Sequence, residues 1–105
     1  MPSGILGKAD LLAITPTTIY TVPAGLVCAG EVTFCNRSAA TVAVRLAFAS
    51  TATAALTDYI YFDLPITANN TTGFKFPVLE AGENVIVQSS VVGVTAIVAG
   101  WEEAA

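Results

Sequence analysis

From Thr17 onward the chain is cut into short β-branched and aromatic runs by turn-forming residues, and that punctuation limits it to an all-β architecture. Thr17 to Val22 reads as a strand, turned by Pro23, Ala24 and Gly25. Leu26 to Cys35 is the next strand, with Gly30 a bulge or close-packing point, and Asn36, Arg37 and Ser38 turn the chain again. Val42, Val44, Leu46 and Phe48 then alternate with Ala43, Arg45, Ala47 and Ala49, the period of a strand with one face buried.

Pairing that strand back onto the previous one sets Val42 against Phe34, Val44 against Val32 and Glu31 against Arg45. Ser50 to Thr57 is a polar, Ala-rich connection. Asp58 to Leu64 is a strand with Tyr59, Tyr61 and Asp63 on one face and Ile60 and Phe62 on the other, and Pro65 marks its end or an edge. Phe74 to Leu79, interrupted by Pro77, reads as an edge strand. Val85 to Ser90 and Val94 to Trp101 form a closing hairpin over Gly93. The expected fold is a single antiparallel β-sandwich of jelly-roll or Ig-like type, with seven to eight strands and no repeat or linker. Residues 1–16 are an N-terminal arm or a first edge strand, and 17–105 are the sandwich domain.

Charge separates the function classes. Only 11% of the 105 residues are charged, 4 Lys and Arg against 8 Asp and Glu, with no His, and 54% are hydrophobic. A folded monomer of this size exposes roughly 5,500 Å², and a well-behaved surface is about 25–35% charged. The surface therefore carries much Ala and Thr, which points to obligate assembly as a homo-oligomer. A net charge of −4 supplies no basic stripe for nucleic acid. The longest nearly apolar stretch, Val91 to Trp101, is about half of the roughly 20 residues a membrane helix needs. The N-terminus lacks the pattern of a secretory signal, which implies synthesis in the cytoplasm.

Catalytic chemistry is poorly supplied. Without His, the commonest general base and metal ligand is missing. Asp58 and Asp63 are the nearest approach to a carboxylate pair, but a separation of five sends them to opposite faces of a flat strand. Cys28 and Cys35 lie seven apart on one strand, about 23 Å, too far for a disulfide. No CxxC or other zinc spacing is present. The sequence thus implies no enzyme, no cofactor and no metal. Asn36, Asn69 and Asn70 match a glycosylation acceptor pattern but read as turn residues, and Glu102 with Glu103 as a solvated tail. The candidates for a partner interface are Ile5, Leu6, Leu11 and Leu12 in the arm, with Tyr59, Tyr61 and Trp101.

Four segments together carry a resemblance: Tyr20-Thr21-Val22-Pro23-Ala24-Gly25, Cys35-Asn36-Arg37-Ser38, Glu80-Ala81-Gly82-Glu83 and Gly100-Trp101-Glu102. In order and spacing they resemble small virion structural proteins of tailed bacteriophages, cyanophage-type ones included. The likeness runs from about Thr17 to Glu103; the low charge of the Ser50 to Leu56 connection departs from it. The resemblance implies a β-sandwich used in capsid decoration (cement), neck and tail-associated proteins, and carries over no catalytic residue. The leading expectation is a decoration protein, favoured as a homotrimer, that bridges subunits of the major capsid protein on the capsid surface. The alternative is a tail-fibre, neck or baseplate domain that binds a partner protein or a host glycan.

Overall fold

Extended backbone suits the β-branched runs, and they form eight strands among the residues the structure describes, 3–51 and 53–104 of a computed structural model. These are β1 (Ser3–Leu11), β2 (Thr17–Thr21), β3 (Leu26–Asn36), β4 (Val42–Ala49), β5 (Tyr59–Ile66), β6 (Thr71–Leu79), β7 (Asn84–Ser89) and β8 (Val94–Ala104). A 3₁₀ turn at Leu56–Asp58 precedes β5. Two four-stranded antiparallel sheets result: sheet A in the order β1-β8-β3-β6, sheet B in the order β2-β7-β4-β5. This nesting of early strands beside late ones is the jelly roll, and it settles the choice against an Ig-like order.

The core lies where the inner faces meet. Val32 and Phe34 of β3 and Val94, Ala96 and Val98 of β8 face Val42, Val44 and Leu46 of β4 and Val85 and Val87 of β7, all buried. Burying each large apolar side chain contributes about 1.5–3 kcal/mol. The alternation in β4 therefore identifies the inner face correctly, and Phe48 continues it by packing edge-on against Phe76 with ring centroids 5.6 Å apart. Its small residues are not all outward, however. Ala47 and Ala49 are buried with Ile86 in a second, minor core, against which Ala54 and Tyr59 pack.

The expected pairings fail in three places. β3 and β4 lie in different sheets, and so do β7 and β8, so neither hairpin exists. Glu31 stands opposite Lys75, and Arg45 opposite Gln88. Only β4 and β5 are neighbours both in sequence and in a sheet. A period of two says which face a residue occupies; it does not say which strand lies alongside. Third, β5 carries two irregularities in its pairing with β4, one between Val44 and Leu46 and one between Leu46 and Ala47. They break the simple alternation, so Tyr61 packs against the main core while Tyr59 packs on the minor one outside sheet B. Pro65 and the interrupted β6 do fall on edge strands.

The described part of the N-terminal segment is an edge strand: β1 pairs antiparallel with β8 from Ser3 to Leu11, with a bulge between Ile5 and Gly7. Leu11 is 1% exposed in the core and Leu6 packs against it. These two residues are spent on the chain's own sandwich, which corrects their assignment to a partner interface. The sandwich thus begins before Thr17.

Crossovers at the two ends of the sandwich are tied by buried asparagines. At the end carrying the loops after β1, β3, β5 and β7, Asn36 donates from Nδ2 to the carbonyls of Ala40 (2.8 Å), Ile66 (3.1 Å) and Thr67 (3.1 Å). Its Oδ1 accepts from the Ser38 amide (2.9 Å) and hydroxyl (2.7 Å). At the opposite end Asn84 donates to the Thr51 carbonyl (2.9 Å) and accepts from the Thr21 hydroxyl (2.6 Å).

Two outcomes follow. Replacing Asn36 by Ala takes its donor from the buried Ile66 bond and from the part-buried Ala40 and Thr67 carbonyls and should cost about 3 kcal/mol, read as a lower urea midpoint. Deleting Met1 to Asp10 strips β8 of one of its two neighbours and should cost about 3 kcal/mol or more. A truncated protein that melts with the full chain would show β1 to be dispensable.

Candidate functional site

The residues singled out from the sequence do not form one site. Ile5 and Leu12 are exposed, Leu6 and Leu11 are not, Tyr61 lies against Phe74 with ring centroids 4.0 Å apart, and Trp101 is 52% exposed. On the register, Trp101 shares the outer face of sheet A with Ala99 and Ile5. Tyr59 sits outside sheet B. Two surfaces and one buried cluster take their place.

The first surface is the loop end. Leu12 and Ile14 follow β1, Val91 and Val92 follow β7, and all four are exposed. The two loops are joined: the Ile14 amide donates to the Ser89 carbonyl at 2.8 Å, and Ala13 bridges to Ser89. Ile14 is held at φ 50°, a strained conformation for a β-branched residue, and is 71% exposed. Within the loops 12–16, 37–41, 67–70 and 90–93 the only charge is Arg37, and it is paired with Asp10. The opposite end is acidic, with Asp58, Glu80, Glu83 and Glu103 in or beside its turns and terminus. The arm drew attention to Leu12; an apolar Val91-Val92 placed in a turn before Gly93 is the signal that pairs with it.

The second surface is the outer face of sheet B. The extra residue in β5 puts Phe62 and Asp63 opposite Arg45, with Asp63 at φ 57°. Arg45 donates from Nε to Oδ1 (2.7 Å) and from Nη2 to Oδ2 (3.2 Å) of Asp63, and its Cζ lies 3.8 Å from the Phe62 ring centre. The hydrogen bonds from Arg45 hold the Asp63 carboxyl below the usual carboxylate range. Asp58 is engaged separately, as Oδ2 accepts from the Ala55 amide at 2.8 Å. The two carboxylates thus have structural partners and do not face each other across a cleft.

The buried cluster corrects the reading of the C-terminal acids. Glu102 is 5% exposed, not solvated, because β8 keeps its alternation to Ala104. It accepts a short hydrogen bond from the Tyr20 hydroxyl. Burial, reinforced by that bond, pushes the Tyr20 phenol far above its ordinary range, and burial pushes the neighbouring Cys28 thiol up. Cys28 and Cys35 are both free. Among the described residues no three His, Cys, Asp or Glu gather as metal ligands, and no helix is long and apolar enough to cross a membrane.

Neither a protein-family model nor a curated protein matches this chain.

The Arg45–Asp63 pair generates a pH signature. Its carboxyl titrates lower in the folded state than in the unfolded one. The pair's stabilisation is therefore fully present above about pH 4 and is lost as pH falls through the lowered folded value. Asp63→Asn should be less stable than the parent at neutral pH, and the gap in urea midpoint should close on acidification.

Proposed function

We propose that this chain is a non-enzymatic structural protein of a tailed-phage virion, a capsid decoration protein that bridges neighbouring subunits of the shell. The observation that carries the reading is the polarity of the sandwich: a neutral apolar loop end opposite an acidic one. The four-segment resemblance supports the setting. The accessible surface of 5505 Å² matches that of an ordinary monomer of this size, so the scarcity of charge is spread over a normal area.

In this mechanism Leu12, Ile14, Val91 and Val92 seat on the shell. Each contributes about 1.5–3 kcal/mol when fully buried, less the cost of association. The two loops that carry them are already joined by the Ile14 amide and the Ser89 carbonyl, which lowers that cost. A homotrimer presents three such ends at once, and the linked contacts raise avidity without new chemistry. The acidic ends then face outward and repel one another, which discourages particles from sticking.

The test is attachment to particles. The protein should copurify with virions and cover the head uniformly by electron microscopy. A Leu12→Ser, Val92→Ser double variant, altered only at exposed positions, should fold like the parent and bind particles at least about tenfold more weakly. Absence from purified particles, or binding unchanged in the variant, overturns the proposal; density confined to the neck or baseplate moves the protein off the capsid.

A further inference from the structure

We infer that a groove on the outer face of sheet A binds a neutral saccharide, stacking one pyranose ring on Trp101. The groove is floored by small residues of β3 and β8. Gly30 of β3 and Gly100 of β8 stand opposite each other. The strands close so tightly there that a Cβ on Gly30 would lie 2.2 Å from the Ala99 carbonyl oxygen, and one on Gly100 equally close to that of Ala29. Ala29 and Ala99 take the outward phase there, beside Trp101 and Glu31, and their small side chains leave the space above the strands open. A depression of about 450 Å³ remains, bounded by Trp101, Glu31, Lys75 and Phe76. That volume falls within the range of small-ligand sites.

The chemistry of the walls selects the ligand. A pyranose has an apolar C–H face and a rim of hydroxyls. Trp101 offers an exposed aromatic plane for the first. Glu31 and Lys75, paired across β3 and β6, offer an acceptor and a donor for the second. They are not consumed by each other: Glu31 Oε1 accepts from the Thr33 hydroxyl at 3.4 Å, and Lys75 takes part in no ion pair among the described residues. An anionic sugar would meet the Glu31 carboxylate and a chain of net charge −4, so the fit is to a neutral one. The sequence pointed to Trp101 together with Tyr59 and Tyr61; the sheets separate them and substitute Glu31 and Lys75. This inference does not depend on where the protein sits in a particle, since the groove lies on a sheet face and the apolar loops lie at an end.

The chain has one tryptophan, so its emission reports on this groove alone. Titration of the full-length protein with lactose, cellobiose and maltose should give a saturable emission change with at least one of them, at millimolar affinity. Glu31→Gln and Lys75→Met should each weaken binding about tenfold, while Tyr59→Phe on the opposite sheet leaves it unchanged. Because Trp101→Ala removes the reporter, its binding is followed by amide chemical shifts of Ala29 and Ala99, which should no longer respond. No saturable response by either method, binding that survives Trp101→Ala, or a response on a glycan array restricted to acidic sugars overturns the inference.

Discussion

The jelly roll depends on crossovers, and two buried asparagine side chains hold them. Six of the seven connections pass from one sheet to the other, so almost no strand is stabilised by a local hairpin. Each crossover leaves backbone groups beyond the last ladder bond, and at the ends of a sandwich these are partly shielded from water. A single amide can answer two or three of them at once. Asn36 satisfies carbonyls from the loops after β3 and β5 and fastens the Ser38 turn. Asn84 does the same between the start of β7, the end of β2 and the chain leaving β4. A hydrophobic residue in either place would leave those groups unpaired, at about 1–3 kcal/mol each.

This explains which parts of the fold were legible in the sequence. Face assignments from alternation hold for Val42, Val44 and Leu46, on a strand that keeps one unbroken register with β7 from Val44 to Ala49. They fail on β5, where bulges shift Tyr59 outside while Tyr61 remains inside, and nothing in Tyr59-Ile60-Tyr61-Phe62-Asp63 marks them. Strand partners were not legible, because local pairing is the natural first assumption and this topology uses it once. Glu102 was missed for a related reason: beside Glu103 and near the end of the chain it looks solvated, while the phase of β8 carries it inward to Tyr20. Of the candidate site, Trp101 and Leu12 were visible as residues, but the groove over Ala29 and Ala99 needs β3 and β8 to be adjacent, and that is a fact of topology.

Scarce charge is used with economy. Two of the four cations are committed to ion pairs, Arg37 with Asp10 and Arg45 with Asp63. Both pairs join residues far apart in sequence and tie elements together more than they stabilise, since solvent screens exposed pairs. The remaining cations, Lys8 and Lys75, both lie on sheet A. Asp58, Glu80, Glu83 and Glu103 gather at the end opposite the apolar loops. The outcome is a molecule with three distinct surfaces: an apolar end, an acidic end and a face where Trp101 and Lys75 border one depression.

Backbone strain follows the same division. Among the described residues, the non-glycine ones with positive φ are Ile14, Asp63 and Asn69. Asn69 tolerates that conformation in a turn, and Asp63 is compensated by two hydrogen bonds from Arg45. Ile14 has no such compensation from its side chain, which projects into solvent. Its conformation costs on the order of 1–3 kcal/mol and is maintained by the Ser89 carbonyl and the neighbouring bridge. In the isolated chain that cost is unreturned. Contact with a partner would return it by covering the Ile14 side chain, and because the backbone is already fixed, little further ordering would be needed to make the contact. The strained residue therefore belongs with the exposed apolar end, and under the proposed function it is part of the surface that seats on the shell.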